Sequence, residues 1–328
     1  MSGLENFIAL FKVPDFIQPY LHIFVTQKEI DLVVHMGEKD FTLEGLSDLL
    51  GETMTSAFLE QCYQREIINR EKKEGILYYR IADFAQRMNN HAMFGNYYVL
   101  PQNIRKELDE WCLSEYHKKH NYFQAVIENQ PDYDNCHNDL IMLLHEAEEF
   151  VDSSDEIMVV PCDCRMLADH CDRPREVCLR FNRSITDRTN GRSLTKEEAK
   201  QLLRMSDREG LMHTASPHNW REVGPSVICN CCACCCYPFR AAQQYGTKGK
   251  WPKSRYLAHF DQEKCKLCGL CIQRCQFKAC FLDGTERELN GKKGKNIGFN
   301  PELCWGCGLC ANSCPNGAIM MEKIDENL

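Results

Sequence analysis

Cys265-Lys-Leu-Cys268-Gly-Leu-Cys271-Ile-Gln-Arg-Cys275 and Cys304-Trp-Gly-Cys307-Gly-Leu-Cys310-Ala-Asn-Ser-Cys314-Pro315 are two runs with one spacing, C-x2-C-x2-C-x3-C. A cube of four irons and four sulfides wants one thiolate on each iron. Cysteines three residues apart on a tight loop wrap three corners of one cube, and the fourth, four residues on, points toward a second site. Zinc is the competing account, but zinc favours paired C-x2-C knuckles across a long spacer. Two four-cysteine runs of this spacing, the second followed by proline, match cluster binding better.

The pair resembles the bacterial two-cluster ferredoxin over about residues 258–322. That likeness implies two [4Fe–4S] clusters with crossed ligation: Cys265, Cys268, Cys271 and Cys314 on one, and Cys304, Cys307, Cys310 and Cys275 on the other. It also implies cubes close enough for electron hopping. Gly269, Gly306 and Gly308 suit a backbone that must approach the sulfurs and donate N–H groups to them. Two departures stand out. Gln276 replaces the family's usual proline, so that loop is expected to sit differently and shift its cluster's potential. The stretch from Cys275 to Cys304 is long and carries Gly291-Lys292-Lys293-Gly294-Lys295, read as the basic turn of an exposed hairpin and a partner contact. Cys280 is spare and reads as a small buried hydrophobe.

Upstream lies a denser set. Pro161-Cys162-Asp163-Cys164-Arg165 is followed by Cys171 and Cys178, and then by Cys229-Asn-Cys231-Cys232-Ala-Cys234-Cys235-Cys236. Ten thiols exceed what one cluster needs. Neighbours such as Cys231 and Cys232 project in different directions and can serve two sites. Two further [4Fe–4S] clusters on eight of the ten is the economical reading, giving four in all; one cluster plus a zinc, or one larger cluster, are the alternatives. Arg165, Arg173 and Arg175 are candidates to donate to sulfur or to offset thiolate charge. Between the cysteine groups, Thr195-x-x-Glu198 is a capping box for a helix ending at Gly210. The arrangement also resembles iron–sulfur proteins of anaerobes in which such a P-C-x-C-R … C-N-C-C-x-C-C-C module precedes a ferredoxin tail, which implies electron transfer.

The rest of the chain is nearly bare of cysteine: Cys62, Cys112 and Cys136 are the three of 22 that fall before residue 156. Leu4, Phe7, Ile8 and Phe11 form an apolar helical stripe ending at Pro14, which packs on its own domain or docks a partner. Helices are expected over Thr26–Met36, over Leu43–Leu50 behind a Thr42 cap and ending at Gly51, and from Thr53 or Thr55 to Arg65. Strands follow over Glu66–Arg70 and Ile76–Ile81 around Glu71-Lys72-Lys73-Glu74-Gly75. That order resembles a winged helix. Pro101 opens a helix bearing Trp111 and Tyr116 to about His120, and another is expected from beyond Asn135 to Phe150, with His145, Glu146 and Glu149 on a solvated face. Glu156–Val160 reads as a short strand. The fold class is therefore α+β in four parts: a winged-helix-like domain with its N-terminal docking helix (1–100), a helical connector (101–155), a cysteine-rich module (156–246) and a two-cluster ferredoxin domain (247–328).

Composition is ordinary for a globular chain of 328 residues, with 44% apolar and 26% charged side chains. Met1–Pro14 lacks a basic stretch and a small-residue cleavage site, and no apolar run approaches the roughly 18 residues of a membrane span. A cytoplasmic location is expected, where dense cysteines mean metal rather than disulfides. Residues 1–245 carry a balance of −12 and residues 246–328 one of +4, which suggests an oriented docking surface. Residues 1–100 hold 9 basic against 14 acidic side chains, a poor footing for DNA, where phosphate neutralisation dominates affinity. No G-x-G-x-x-G after a strand and no G-x4-G-K-[ST] occurs, so nucleotide-cofactor and ATP sites lack support. The functional expectation is a non-catalytic electron-transfer subunit between a redox enzyme and its partner. The alternatives are a cluster-dependent DNA-binding regulator and a reductase with substrate at an upstream cluster.

Overall fold

The computed structural model describes residues 3–50, 56–119, 140–188, 190–289 and 291–324. The chain is mixed α and β and divides into two compact units: Met1–Cys112 with Thr186–Asn190, and Leu113–Ile185 with Gly191–Leu328.

In the first unit, the helix Gly3–Phe11 buries Phe7 and Phe11, stacked 5.0 Å apart, and leaves Leu4 exposed. Helix Gln27–Met36 opens with a Thr26/Glu29 capping box, and Thr42 Oγ1 accepts from Gly45 N at the start of Leu43–Leu50. Helix Ser56–Gln64 is the third; Thr53 and Thr55 lie outside the described residues. Strands β1 (Ile68–Lys73) and β2 (Ile76–Ile81) pair antiparallel down to Lys73↔Ile76. The first strand is thus shifted toward the turn relative to the alternation in the sequence. Glu74 and Gly75 both take positive φ (50° and 88°), as a type I′ two-residue hairpin turn requires, and pairing runs right up to it. Arg65 meets the buried Glu29 at 2.7 Å, and Arg70 meets Glu60 and Asp187. Arg70 and Arg188 lie over the Tyr63 ring, whose hydroxyl donates to Asp187. Burial raises the Cys62 thiol to about 12, consistent with an inert core position.

The second unit is built on a six-stranded antiparallel sheet, of which residue patterns announced one strand, Glu156–Val160. Its strands are β3 (Leu140–Met142), β4 (Ile157–Pro161), β5 (Glu176–Phe181), β6 (Arg192–Ser193), β7 (Met212–Ser216) and β8 (Val227–Cys231), in the order β3-β7-β8-β5-β4-β6. The expected helix ending at Phe150 is corrected: Leu140–Met142 is sheet, and the helix runs Leu144–Asp152. A short, wholly buried apolar run has no periodicity to separate strand from helix. Phe150, Val151, Leu179, Phe181, Leu203 and Trp220 fill the core between the sheet and the helices Leu144–Asp152 and Lys196–Arg208. The Thr195/Glu198 capping box forms, and Gly210 follows the helix at φ 75°.

Glu146, read as solvated, is buried. It takes an ion pair from Arg255 at 2.7 Å and hydrogen bonds from Tyr256 Oη and Leu143 N at 3.0 Å each. Glu149 is exposed and pairs with Arg221.

The C-terminal part is two copies of one strand–loop–helix–strand pattern. β9 (Tyr256–Phe260) leads to the first cysteine run and β10 (Cys280–Leu289); β11 (Lys292–Phe299) leads to the second and β12 (Ile319–Lys323). The strands pair across the copies, β9 with β12 and β10 with β11, so neither half closes without the other. The hairpin β10–β11 forms, but the lysines are not its turn. Lys293 and Lys295 stand in β11 opposite Glu288 and Glu286, so the expected basic turn is corrected to a cross-strand charged ladder. No helix among the described residues is long and apolar enough to cross a membrane.

Candidate metal centres

The ferredoxin-like runs come first. Gly269 and Gly308 take φ 74° and 80° and cap the short helices Leu270–Arg274 and Leu309–Asn312, turning the third cysteine of each run inward. Matched N–H groups aim at sulfur in the two halves: Leu267 N to Cys265 Sγ and Gly306 N to Cys304 Sγ at 3.4 Å, Ala279 N to Cys275 Sγ and Ala318 N to Cys314 Sγ at 3.2 Å. Such donors favour thiolate and cluster sulfur. Cys275, Cys304, Cys307 and Cys310 line one cavity with Cys280, Phe277 and Trp305. The first run's fourth cysteine therefore faces the second run's first three. Cys265 and Cys271 are buried, Cys314 is half-buried and Cys268 is exposed.

Electrostatics agree with the chemistry of a thiolate pocket. The Cys280 thiol, with backbone N–H groups of Cys280, Phe277 and Ala279, holds Cys275 down to about 5 against the opposing effect of burial. Burial pushes the Cys307 thiol up. Cys280 is indeed buried, as expected, but it also neighbours Cys271, Cys275 and Cys310, between the two quartets.

Gly306 is the tightest constraint in these loops. A Cβ there would stand 2.1 Å from Tyr256 O and 2.6 Å from Ser254 Oγ, at φ 68°. Gly306→Ala is expected to push the loop off Cys304, costing about 1–3 kcal/mol in backbone strain alone, and to lower the iron retained per chain. A variant with wild-type iron and melting temperature would contradict this.

The ten upstream cysteines converge from separate segments. Cys162 caps the helix Asp163–Ala168, which carries Cys164; Cys178 is on β5; Cys229 and Cys231 share one face of β8; Cys232–Cys236 lead into the helix Tyr237–Tyr245. Six form a closed chain of neighbouring thiols: Cys162 to Cys164, Cys236, Cys231, Cys229, Cys178 and back to Cys162. The Cys236–Cys231 step is 3.5 Å. The other four, Cys171, Cys232, Cys234 and Cys235, form a separate cluster with every Sγ within 4.8 Å of the rest. Adjacent residues do part company, Cys231 from Cys232 and Cys235 from Cys236.

Arg165 lies between the two groups, wholly buried. It donates to Pro174 O (2.6 Å), Asn230 O (2.9 Å) and Cys232 Sγ (3.5 Å). Burial alone would lower its pKa, yet the sulfurs of Cys162, Cys232 and Cys178 carry it above the ordinary arginine value. Among the described residues no carboxylate forms an ion pair with it. A buried guanidinium needs a counter-charge, and the sulfurs of Cys162, Cys232 and Cys178 are the groups placed to supply it. This fits metal-bound sulfur and does not fit ten neutral thiols. Arg173 donates to Glu209 O, and Arg175 pairs with Asp169.

Several participants had no local signal. Thr214 Oγ1 lies 3.5 Å from Cys231 Sγ, and the buried Asn230 joins His213 (2.6 Å) to Val177 O (2.6 Å). Gln276 accepts from Ala233 N and donates to Gly210 O, both at 2.6 Å, tying the loop after Cys275 to the loop between Cys232 and Cys234. Proline could do neither. Phe239, three residues past Cys236, meets Trp305 at 5.3 Å, and Trp305 stacks on Phe277 at 4.6 Å, beside Cys304 and Cys275.

Among known families, a 4Fe-4S binding domain (Fer4) matches residues 297–320, the second run with the end of β11. No curated protein and no solved structure matches the chain.

Proposed function

We propose that this chain is an electron-transfer subunit or adaptor that passes electrons between a redox enzyme and its partner. Two [4Fe–4S] clusters in the ferredoxin-like part carry them, one on Cys265, Cys268, Cys271 and Cys314, the other on Cys304, Cys307, Cys310 and Cys275. Two further metal centres lie on the upstream cysteines. The observation that carries this reading is the junction at the second quartet. Phe239, Trp305 and Phe277 pack continuously from Cys236 to Cys304 and Cys275, while Gln276 clamps the same loop. Electrons then pass from the upstream module into the second quartet and leave through the first, where Cys268 reaches the surface.

In this reading the helices and hairpin of residues 26–81 act as a winged-helix-like platform for a protein partner. Arg65 and Arg70 already sit in ion pairs within their own unit and Arg188 lies over Tyr63, which leaves little positive charge for phosphate.

Crossed ligation gives the test. Cys307→Ser and Cys275→Ser should each abolish the same one of two cluster signals in EPR of the anaerobically reduced protein, with iron falling by up to four per chain. If Cys275→Ser removes the cluster of Cys265, Cys268 and Cys271 instead, the ligand assignment is wrong. Protein isolated without oxygen and without iron would remove the function itself.

A further inference from the structure

We propose that Cys171, Cys232, Cys234 and Cys235 hold a single tetrahedral metal ion, and that this centre is not a cube. The inference rests on reading the upstream sulfurs as metal ligands and specifies what one group of them takes.

Distances carry it. Cys171 Sγ lies 3.8 Å from Cys232 Sγ and 3.7 Å from Cys235 Sγ, and Cys234 Sγ lies 3.8 Å from Cys235 Sγ. One ion with metal–sulfur bonds of about 2.3 Å sets the sulfurs of a regular tetrahedron about 3.8 Å apart. A cube would force them wider, because each thiolate binds its own iron at a corner and is pushed outward by it. The same chain provides the contrast. Among the described residues, no other set of three or more potential ligands is drawn within 4.8 Å, and the ferredoxin-like quartets are not.

The donors specify the ion. Four sulfurs with no imidazole or carboxylate among them make a closed, soft, tetrahedral site, which suits zinc or a lone iron(II). A divalent ion with four thiolates keeps a net charge of −2, and Arg165 at 3.5 Å from Cys232 Sγ partly offsets it. The placement assigns a mechanical role. Cys171 comes from the loop after the helix Asp163–Ala168, and the other three flank Ala233, whose N–H is gripped by Gln276. The ion staples these two loops and stiffens the junction that feeds the second quartet. The remaining six thiols, with Arg165 against them, are left for redox chemistry.

The full chain, purified without oxygen, tests this by metal analysis, X-ray absorption at the zinc and iron edges, and Mössbauer spectroscopy. The expected result is about one equivalent of zinc with four sulfur neighbours and no metal–metal scattering, or one iron with a mononuclear tetrathiolate doublet. Cys234→Ser should lose that equivalent while both ferredoxin-like EPR signals persist. The spectra of the unmutated protein decide the matter even if the variant fails to fold. All metal found in cubes, or no metal beyond cubes, overturns the inference and leaves the electron-transfer reading standing. Stoichiometric zinc without any cluster iron does the reverse.

Discussion

Arg165→Met is expected to strip the cysteine-rich module of metal while the ferredoxin-like part stays loaded. Methionine matches the arginine stem and removes its charge. What remains is a set of thiolates from two groups, buried, with no cation among them. Removing one partner of a buried, hydrogen-bonded charge set costs about 3–5 kcal/mol. Two carbonyls, Pro174 O and Asn230 O, also lose their donor. The chain can avoid the cost by taking up protons in place of metal, so metal content should fall before the fold does. Iron and zinc per chain, read beside the Fer4-region EPR signals, check this. Wild-type metal with an unchanged melting temperature would mean that the guanidinium compensates nothing. Arg165→Lys restores charge without the planar fork and should recover only part of the loss.

The second large effect is expected from Glu146→Ala. Arg255 and Glu146 are 3% and 5% exposed in their side chains, so truncating the acid strands a buried cation. It also deprives Tyr256 Oη and Leu143 N of their acceptor. A loss of about 3–5 kcal/mol follows, visible as a lower denaturant midpoint. Because Arg255 precedes β9 and Tyr256 opens it, faster amide exchange should appear first in β9 and its partner β12. Glu146→Gln, which keeps the shape and one acceptor oxygen, should lose less. Destabilisation below about 0.5 kcal/mol, the range of an ordinary surface substitution, would restore the solvated-face reading of this helix.

Glu146 shows why such features escape a reading of residues alone. Leu-His-Glu-Ala-Glu-Glu looks like an exposed helical face, and nothing nearby in sequence marks one acid as buried. Its partner lies 109 positions away. Gln276 is a similar case: the missing proline was visible, but the two backbone groups it serves belong to Ala233 and Gly210. The hairpin lysines were legible as a basic cluster, and the register that sets Glu286 and Glu288 against them was not.

What the chain's order of residues determined by itself was local. Cysteines three apart can wrap only a small centre, a capping box closes within one turn, and a two-residue turn needs residues that tolerate positive φ. Short covalent reach decides such features, so they survive without knowledge of the rest. The division of ten upstream thiols into six and four was decided only by tertiary structure. Those sulfurs come from the ends of β4, β5 and β8 and the loops beyond them, and the order β3-β7-β8-β5-β4-β6 brings those ends together. Strand order depends on which faces bury most apolar surface over long separations, and no spacing rule encodes it.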